Sequence, residues 1–239
     1  MSWRNSLIPG VLIAFILVGC LKQEDKTGEG PRAKILLVNA ALDAAPVNLL
    51  LDGNPISDSD LPFGSAGELN DNGYIPARPG IQTIGWKVGD EIYTEGKFLA
   101  WDPNAYYTVL HFDTAVNGFG SWTIIRDDPE TTDTSARVRF INCVAGPDSL
   151  SLWLINPNDT LVVASRRAFL EFTGITGTDF TVNVVPGSWR YELIDKNNLV
   201  LDGGDFPVSA ASMYSFIGIG ETGATGDKQP RLLTILQKK

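Results

Sequence analysis

Apolar and polar residues alternate along much of the chain with a period of two. Val47, Leu49 and Leu51 face one way, while Asn48, Leu50 and Asp52 face the other; such alternation is what a pleated strand needs to bury one side. IQTIGWKV (81–88), YTVLHFDTA (107–115), SWTIIR (121–126), FTVNVV (180–185), SWRYELID (188–195) and RLLTILQ (231–237) are rich in β-branched and aromatic residues. Clusters of Gly and Pro break them at short intervals. Asp52-Gly53 and Asp202-Gly203 predict hairpin turns, where glycine takes positive φ without steric cost. No segment beyond the N-terminal apolar run shows a convincing helical stripe; the nearest, Arg166 to Phe172, is too short. The pattern predicts an all-β protein.

The pattern also repeats. AKILLVNA (33–40) matches ARVRFINC (136–143), and at the same offset VNLLL (47–51) falls on LSLWL (150–154). Pro79-Gly80 pairs with Pro186-Gly187, Phe98 with Phe206, and Tyr106 with Tyr214, at a slightly larger offset. Internal duplication of this length predicts two copies of one structural unit. DDPETTDTS (127–135) is polar and aperiodic and reads as a linker between copies at 33–126 and 136–239. About seven short strands per copy fit an immunoglobulin-like β-sandwich; a pair of small barrels is the alternative. The Cys–Trp–Cys pattern of immunoglobulin domains is missing, so strand topology stays open.

The opening of each copy carries a resemblance. ILLVNAALDAAPVNLLLDG (35–53) and VRFINCVAGPDSLSLWLIN (138–156) resemble a domain of unknown function in exported bacterial proteins, the family numbered forty-three ninety-seven, which typically opens VRFVHASPDAPAVDVYVDG. With the later Pro-Gly and the strand-opening Tyr106 and Tyr214, the resemblance covers nearly all of residues 33–239. The family's His is Asn39 and Asn142 here, and its Ser-Pro is lost in both copies. The resemblance implies location and architecture, and no activity.

Ahead of the repeats, Arg4 precedes the apolar run Leu7 to Val18. Those twelve residues are too few to span a bilayer core, which takes about 20, but they suit the core of a cleavable signal peptide (residues 1–19). Leu17-Val18-Gly19-Cys20 resembles the bacterial lipobox, whose cysteine receives a diacylglyceryl group and becomes the first mature residue. Cys20 is therefore the predicted lipid-attachment site, and the polar stretch to Arg32 a tether. Leu21 is not the Asp that retains enteric lipoproteins in the inner membrane. Lys22-Gln23-Glu24-Asp25 resembles acidic export signals on surface lipoproteins of Bacteroidetes. The expected location is the cell envelope, lipid-anchored at the outer membrane, facing the periplasm or the surface.

Composition then narrows the chemistry. An apolar share of 44% supports a packed core. The formal net charge of −9 becomes one unit more negative once Arg4 leaves with the signal, which disfavours nucleic acid and anionic lipid as partners. With Cys20 acylated, Cys143 has no disulfide partner and reads as a small buried hydrophobe. The single histidine, His111, aligns with Ile219 at the Tyr106/Tyr214 offset and is expected to pack rather than ligate, which disfavours His-dependent hydrolases and zinc sites. Asp58, Asp60, Glu68, Asp71 and Asn72 crowd one loop without EF-hand spacing; solvated polarity is the default reading, weak calcium binding the alternative. The G-x-G-x-x-G string within 218–226 is followed by Asp-Lys-Gln-Pro rather than a helix, and reads as a loop. Among Trp86, Trp101, Trp122, Trp153 and Trp189, Trp101 sits in a loop-like AWDPN and is the candidate for stacking on a sugar ring. Asp113-Thr114-Ala115, Asp148-Ser149-Leu150 and Asp159-Thr160-Leu161 match a short Bacteroidetes O-glycosylation pattern.

These readings predict a non-enzymatic envelope lipoprotein, without a cofactor, displaying two sandwiches for adhesion or ligand binding. Its partners are the membrane, through the anchor, and a glycan or another envelope protein. Glycan capture beside a polysaccharide-uptake system is the alternative, and a carboxylate-based hydrolase the reading from the enzyme class.

Overall fold

The computed structural model describes residues 30–67, 73–113, 120–128, 134–146, 148–171 and 179–238. The chain divides into two units, Met1–Gly30 and Pro31–Lys239, and the second contains both repeats. Among the described residues its regular elements are strands, apart from one short 3-10 turn at Gly226–Lys228.

The first repeat holds β1 (Ala33–Asn39), β2 (Val47–Leu51), β3 (Asn54–Pro55), β4 (Ser65–Ala66), β5 (Ile75–Ala77), β6 (Gly80–Val88), β7 (Glu91–Trp101), β8 (Tyr106–Phe112) and β9 (Ser121–Asp127). One sheet runs β4-β1-β8-β9 with β5 also on β1, and the other runs β3-β2-β6-β7. The second repeat holds β10 (Ala136–Asn142), β11 (Leu150–Asn156), β12 (Asp159–Arg167), β13 (Val182–Val184), β14 (Gly187–Ile194), β15 (Val200–Val208), β16 (Met213–Ile219) and β17 (Arg231–Lys238). Its sheets run β13-β10-β16-β17 and β12-β11-β14-β15. Apart from β4, which has no counterpart among the described strands of the second repeat, the two orders agree, including the parallel pairing of the first strand with the penultimate one, β1 with β8 and β10 with β16. Each repeat is thus a two-sheet sandwich with its own core. Leu49, Ile84, Trp86, Trp101 and Val109 fill the first, and Val138, Leu152, Trp189, Phe206 and Phe216 the second.

A third core lies between the repeats. On β1, Ile35 and Leu37 enter the first sandwich, whereas Leu36 and Val38 join Leu110 and Ile125 in a cluster with Ile141, Cys143, Ile217, Ile219 and Ile235 of the second repeat. β10 divides in the same way: Val138 and Phe140 face inward, and Arg139 and Ile141 face the neighbouring repeat. The central strands are buried on both faces, so they read as almost unbroken apolar runs. The result is four layers of sheet, stacked through the β1-β8-β9 and β10-β16-β17 surfaces.

Charge is buried in that seam. Arg139 donates to Asp127 at 2.7 Å, with side chains 1% and 0% exposed, and to Ser215 and Thr108 at 2.6 and 3.0 Å. Asp127 also accepts from Tyr74 (2.8 Å), Thr108 (2.7 Å) and the Gln237 amide (3.3 Å), and Ser215 donates to Gln237. Each buried charge has hydrogen-bonding partners as well as its counter-ion, the condition under which low dielectric strengthens a polar network instead of penalising it. Asp127, read from sequence as the first linker residue, closes β9 instead. The rest of the connection to Ser135 includes residues outside those described.

Register corrects several pairings. Asn39 lies opposite His111 and Asn142 opposite Gly218, so the counterpart of His111 is Gly218, not Ile219. The Tyr107 hydroxyl accepts from the Asp102 amide at 3.0 Å, as that of Tyr214 does from Ser209 at 3.2 Å; Tyr107, not Tyr106, is the repeat mate of Tyr214. Leu99 likewise replaces Phe98 opposite Phe206, because Phe98 points outward, 68% exposed, while Phe206 is core. Asp52-Gly53 does form the β2–β3 turn, both residues at positive φ (51° and 79°). Asp202-Gly203 does not turn: both lie within β15, opposite Leu193 and Glu192. There the glycines serve close approach, since a Cβ on Gly204 would sit 3.2 Å from the Tyr191 ring. Arg166 and Arg167 end strand β12 rather than beginning a helix.

Candidate functional site

Cys20, the predicted lipid-attachment residue, lies outside the described residues, as do Glu68, Asp71, Asn72, Thr114 and Ala115. Trp101 is corrected. Its ring is 2% exposed and packs edge-on against Tyr107, with centroids 5.0 Å apart. AWDPN reads as a loop, but the residue ends β7 opposite Gly80 on the inward face. It offers no face to a sugar.

The remaining polar candidates are held by neighbours. His111 is fully buried, its Nδ1 3.2 Å from the Asn39 side-chain oxygen and its ring 5.1 Å from that of Trp86. Cys143 lies in the seam, and burial pushes its thiol well above the ordinary value, which disfavours the reactive thiolate. Asp60 is held below the usual carboxylate range, chiefly by its hydrogen bond from Lys87 at 2.6 Å and further by Asn48. It borders a cleft of about 430 Å³ lined by Ile56, Asp58, Leu61 and Ile75. Among the described residues no three His, Cys, Asp or Glu side chains gather as a metal site would require. The glycine string runs from the end of β16 through a turn into the short Gly226–Lys228 element, so it presents no helix to a phosphate.

What remains is a surface that residue-by-residue reading missed. The outer face of the β3-β2-β6-β7 sheet carries Leu50, Ile81, Thr83, Gly85, Ile92, Thr94 and Phe98. Alternation places them there, opposite the inward Leu49, Ile84, Trp86 and Leu99. Ile81, Ile92 and Phe98 are 72%, 66% and 68% exposed. The same face holds an apolar groove of about 600 Å³, walled by Leu50, Ile92 and Thr94 and floored by Gly85. A Cβ on Gly85 would come 3.1 Å from the Tyr93 carbonyl oxygen, so glycine is what keeps the floor low. The β6–β7 pairing slips between Thr83 and Gly85, and such a bulge bends the strands around the depression.

The second repeat has the same face with different chemistry. By register, Trp153 stands where Leu50 is, Arg190 where Thr83 is, and Glu192 where Gly85 is, with Arg190 and Glu192 3.6 Å apart. The two repeats thus differ on this face, with an Arg190–Glu192 pair in the second where the first has an apolar groove. The signal in the sequence was the alternation Ile81-Thr83-Gly85 and Ile92-Thr94, masked by pairing Phe98 with a core residue of the other copy. No protein-family model matches the chain, and no curated protein matches it.

Proposed function

We propose that the chain is an exported, lipid-anchored envelope protein that binds an apolar segment of another envelope protein in the groove on the outer face of its first sandwich. The observation that carries the reading is the groove itself: a contiguous exposed apolar surface is costly to leave in water and usually marks an interaction site. The seam supports it, because a surface mounted on two sandwiches joined by a buried network loses little freedom on binding. The lipobox-like end at Cys20, the polar stretch after it and the resemblance of each copy's opening to an exported family support an outer-membrane location in this reading. Binding rather than turnover fits the engaged state of His111, Cys143 and Asp60. Glycan capture is the weaker reading, since Trp101, its stacking platform, is buried.

Two measurements test the proposal. Peptides selected from a random display library on the wild-type protein should bind in solution and lose at least tenfold in affinity on I92E, a substitution at an exposed position. Selection yielding nothing, or peptides indifferent to I92E, refutes the groove. Separately, wild-type protein should partition with membranes and incorporate an alkyne-tagged fatty acid, while C20S should do neither. Unchanged partitioning of C20S refutes the anchor.

A further inference from the structure

Ile81 and Phe98 lie at one end of the grooved face, and that end is where the tether arrives. Ile81 pairs with Ala100 and Phe98 with Thr83, which makes them diagonal neighbours on the outer surface. Beyond Trp101 the chain turns through 102–105, and this turn holds the incoming chain: the Asn104 amide donates to the Arg32 carbonyl at 3.0 Å, and the Lys34 amide to that of Ala105 at 2.9 Å. At about 3.4 Å per residue along a strand, Phe98 is on the order of 10 Å from the end of β7. Arg32 lies twelve positions after Cys20. Twelve residues at full stretch reach no more than about 43 Å.

Two ion pairs lie near this ridge, and the neighbouring Lys97 sits over the Trp122 ring at 5.2 Å. Arg78 meets Asp52 at 2.7 Å, and Arg126 meets Asp102 at 2.8 Å. An end with two bulky exposed hydrophobes, rimmed by locally neutral ion pairs and leashed to a lipid, has the chemistry of a zwitterionic bilayer surface: apolar tips enter the acyl boundary while paired charges stay among headgroups.

We infer that Ile81 and Phe98 form a membrane-resting ridge that inserts into the leaflet carrying the anchor, tilting the stack so that the groove opens at the membrane boundary. This inference rests on the anchored reading above, but its test does not need native lipidation. The chain from Cys20 onward is coupled through the Cys20 thiol to a maleimide phospholipid in phosphatidylethanolamine–phosphatidylcholine vesicles; Cys143, 2% exposed, is shielded from the reagent. Tryptophan fluorescence is then read with and without dibrominated acyl chains, which quench only at short range. F98W should lose at least a third more emission than wild type. V162W, on the outer face of the opposite end sheet, should match wild type. Adding I81D to F98W should abolish the extra quenching. Equal quenching of F98W and V162W, or none in F98W, overturns the ridge; because coupling is chemical, either result leaves the fate of C20S in cells as a separate question.

Discussion

Replacing Arg139 by Met is the most direct probe of the seam. The guanidinium is within hydrogen-bonding distance of Asp127, Ser215 and Thr108 and also lies over the Phe180 ring at 4.3 Å. Methionine keeps the stem and removes every donor. Deleting one partner of a buried ion pair costs about 3–5 kcal/mol, because the other charge is stranded. Asp127 keeps donors from Tyr74, Thr108 and Gln237, so the low end applies, about 3 kcal/mol. In urea, with a slope of about 2 kcal/mol per molar, the unfolding midpoint should fall by about 1.5 M. The double variant D127L/R139M should be no less stable than R139M alone, since no lone charge remains, so the two single costs should fail to add by at least about 2 kcal/mol. Wild-type unfolding should be one transition by both fluorescence and circular dichroism. A loss below about 1 kcal/mol in R139M, or two wild-type transitions with only the second-repeat one moved by R139M, would refute the idea that this network joins the sandwiches.

Other outcomes follow from single groups. Burial, and then the Asp127 charge, push the Tyr74 hydroxyl well above its ordinary 10.0. A pKa raised on folding gives stability that is full below pH 10 and lost as the pH rises further, so Y74F should flatten the alkaline limb of a stability–pH curve; an identical limb in Y74F would contradict this. Cys143 should resist a thiol reagent in native C20S protein and react stoichiometrically in urea, and rapid native labelling would contradict its burial in the seam. Gly53 sits at φ 79° with nothing within 4 Å of where a Cβ would stand, so G53A should cost about 1 kcal/mol from backbone strain alone, read as a melting shift; a neutral result would mean that the turn relaxes.

The all-β character and the duplication were legible because strand periodicity and repeat similarity are local properties. The Asp52-Gly53 turn was legible for the same reason. Asp202-Gly203 has the same letters, but its glycines answer to the Tyr191 ring across the sheet, a long-range demand that a dipeptide does not display. Phe98 was matched to the core residue Phe206 because an alignment shifted by one position reverses the face that a strand residue takes. Trp101 was misread because AWDPN has the letters of a loop, although Trp101 closes β7 facing inward. The seam was hidden in a different way. Leu36, Val38 and Ile141 look like ordinary core, and nothing in a strand's composition says which of two layers each face will meet. Arg139, a charge inside an apolar run, was the visible anomaly, and its partner lay in what read as a linker.

The route of the polypeptide through the seam bears on how the protein matures. β1 pairs with β8 across the intervening hairpins, so neither sandwich closes from neighbouring segments alone; pairing of this kind slows folding, because distant stretches must meet first. The Asp127 carboxylate then waits for Arg139 on β10 and Gln237 on β17. A chain emerging N-terminus first would carry an unfinished, partly apolar first repeat until the last strand arrives. During that interval a holdase chaperone would have its purchase, and a protease its opportunity.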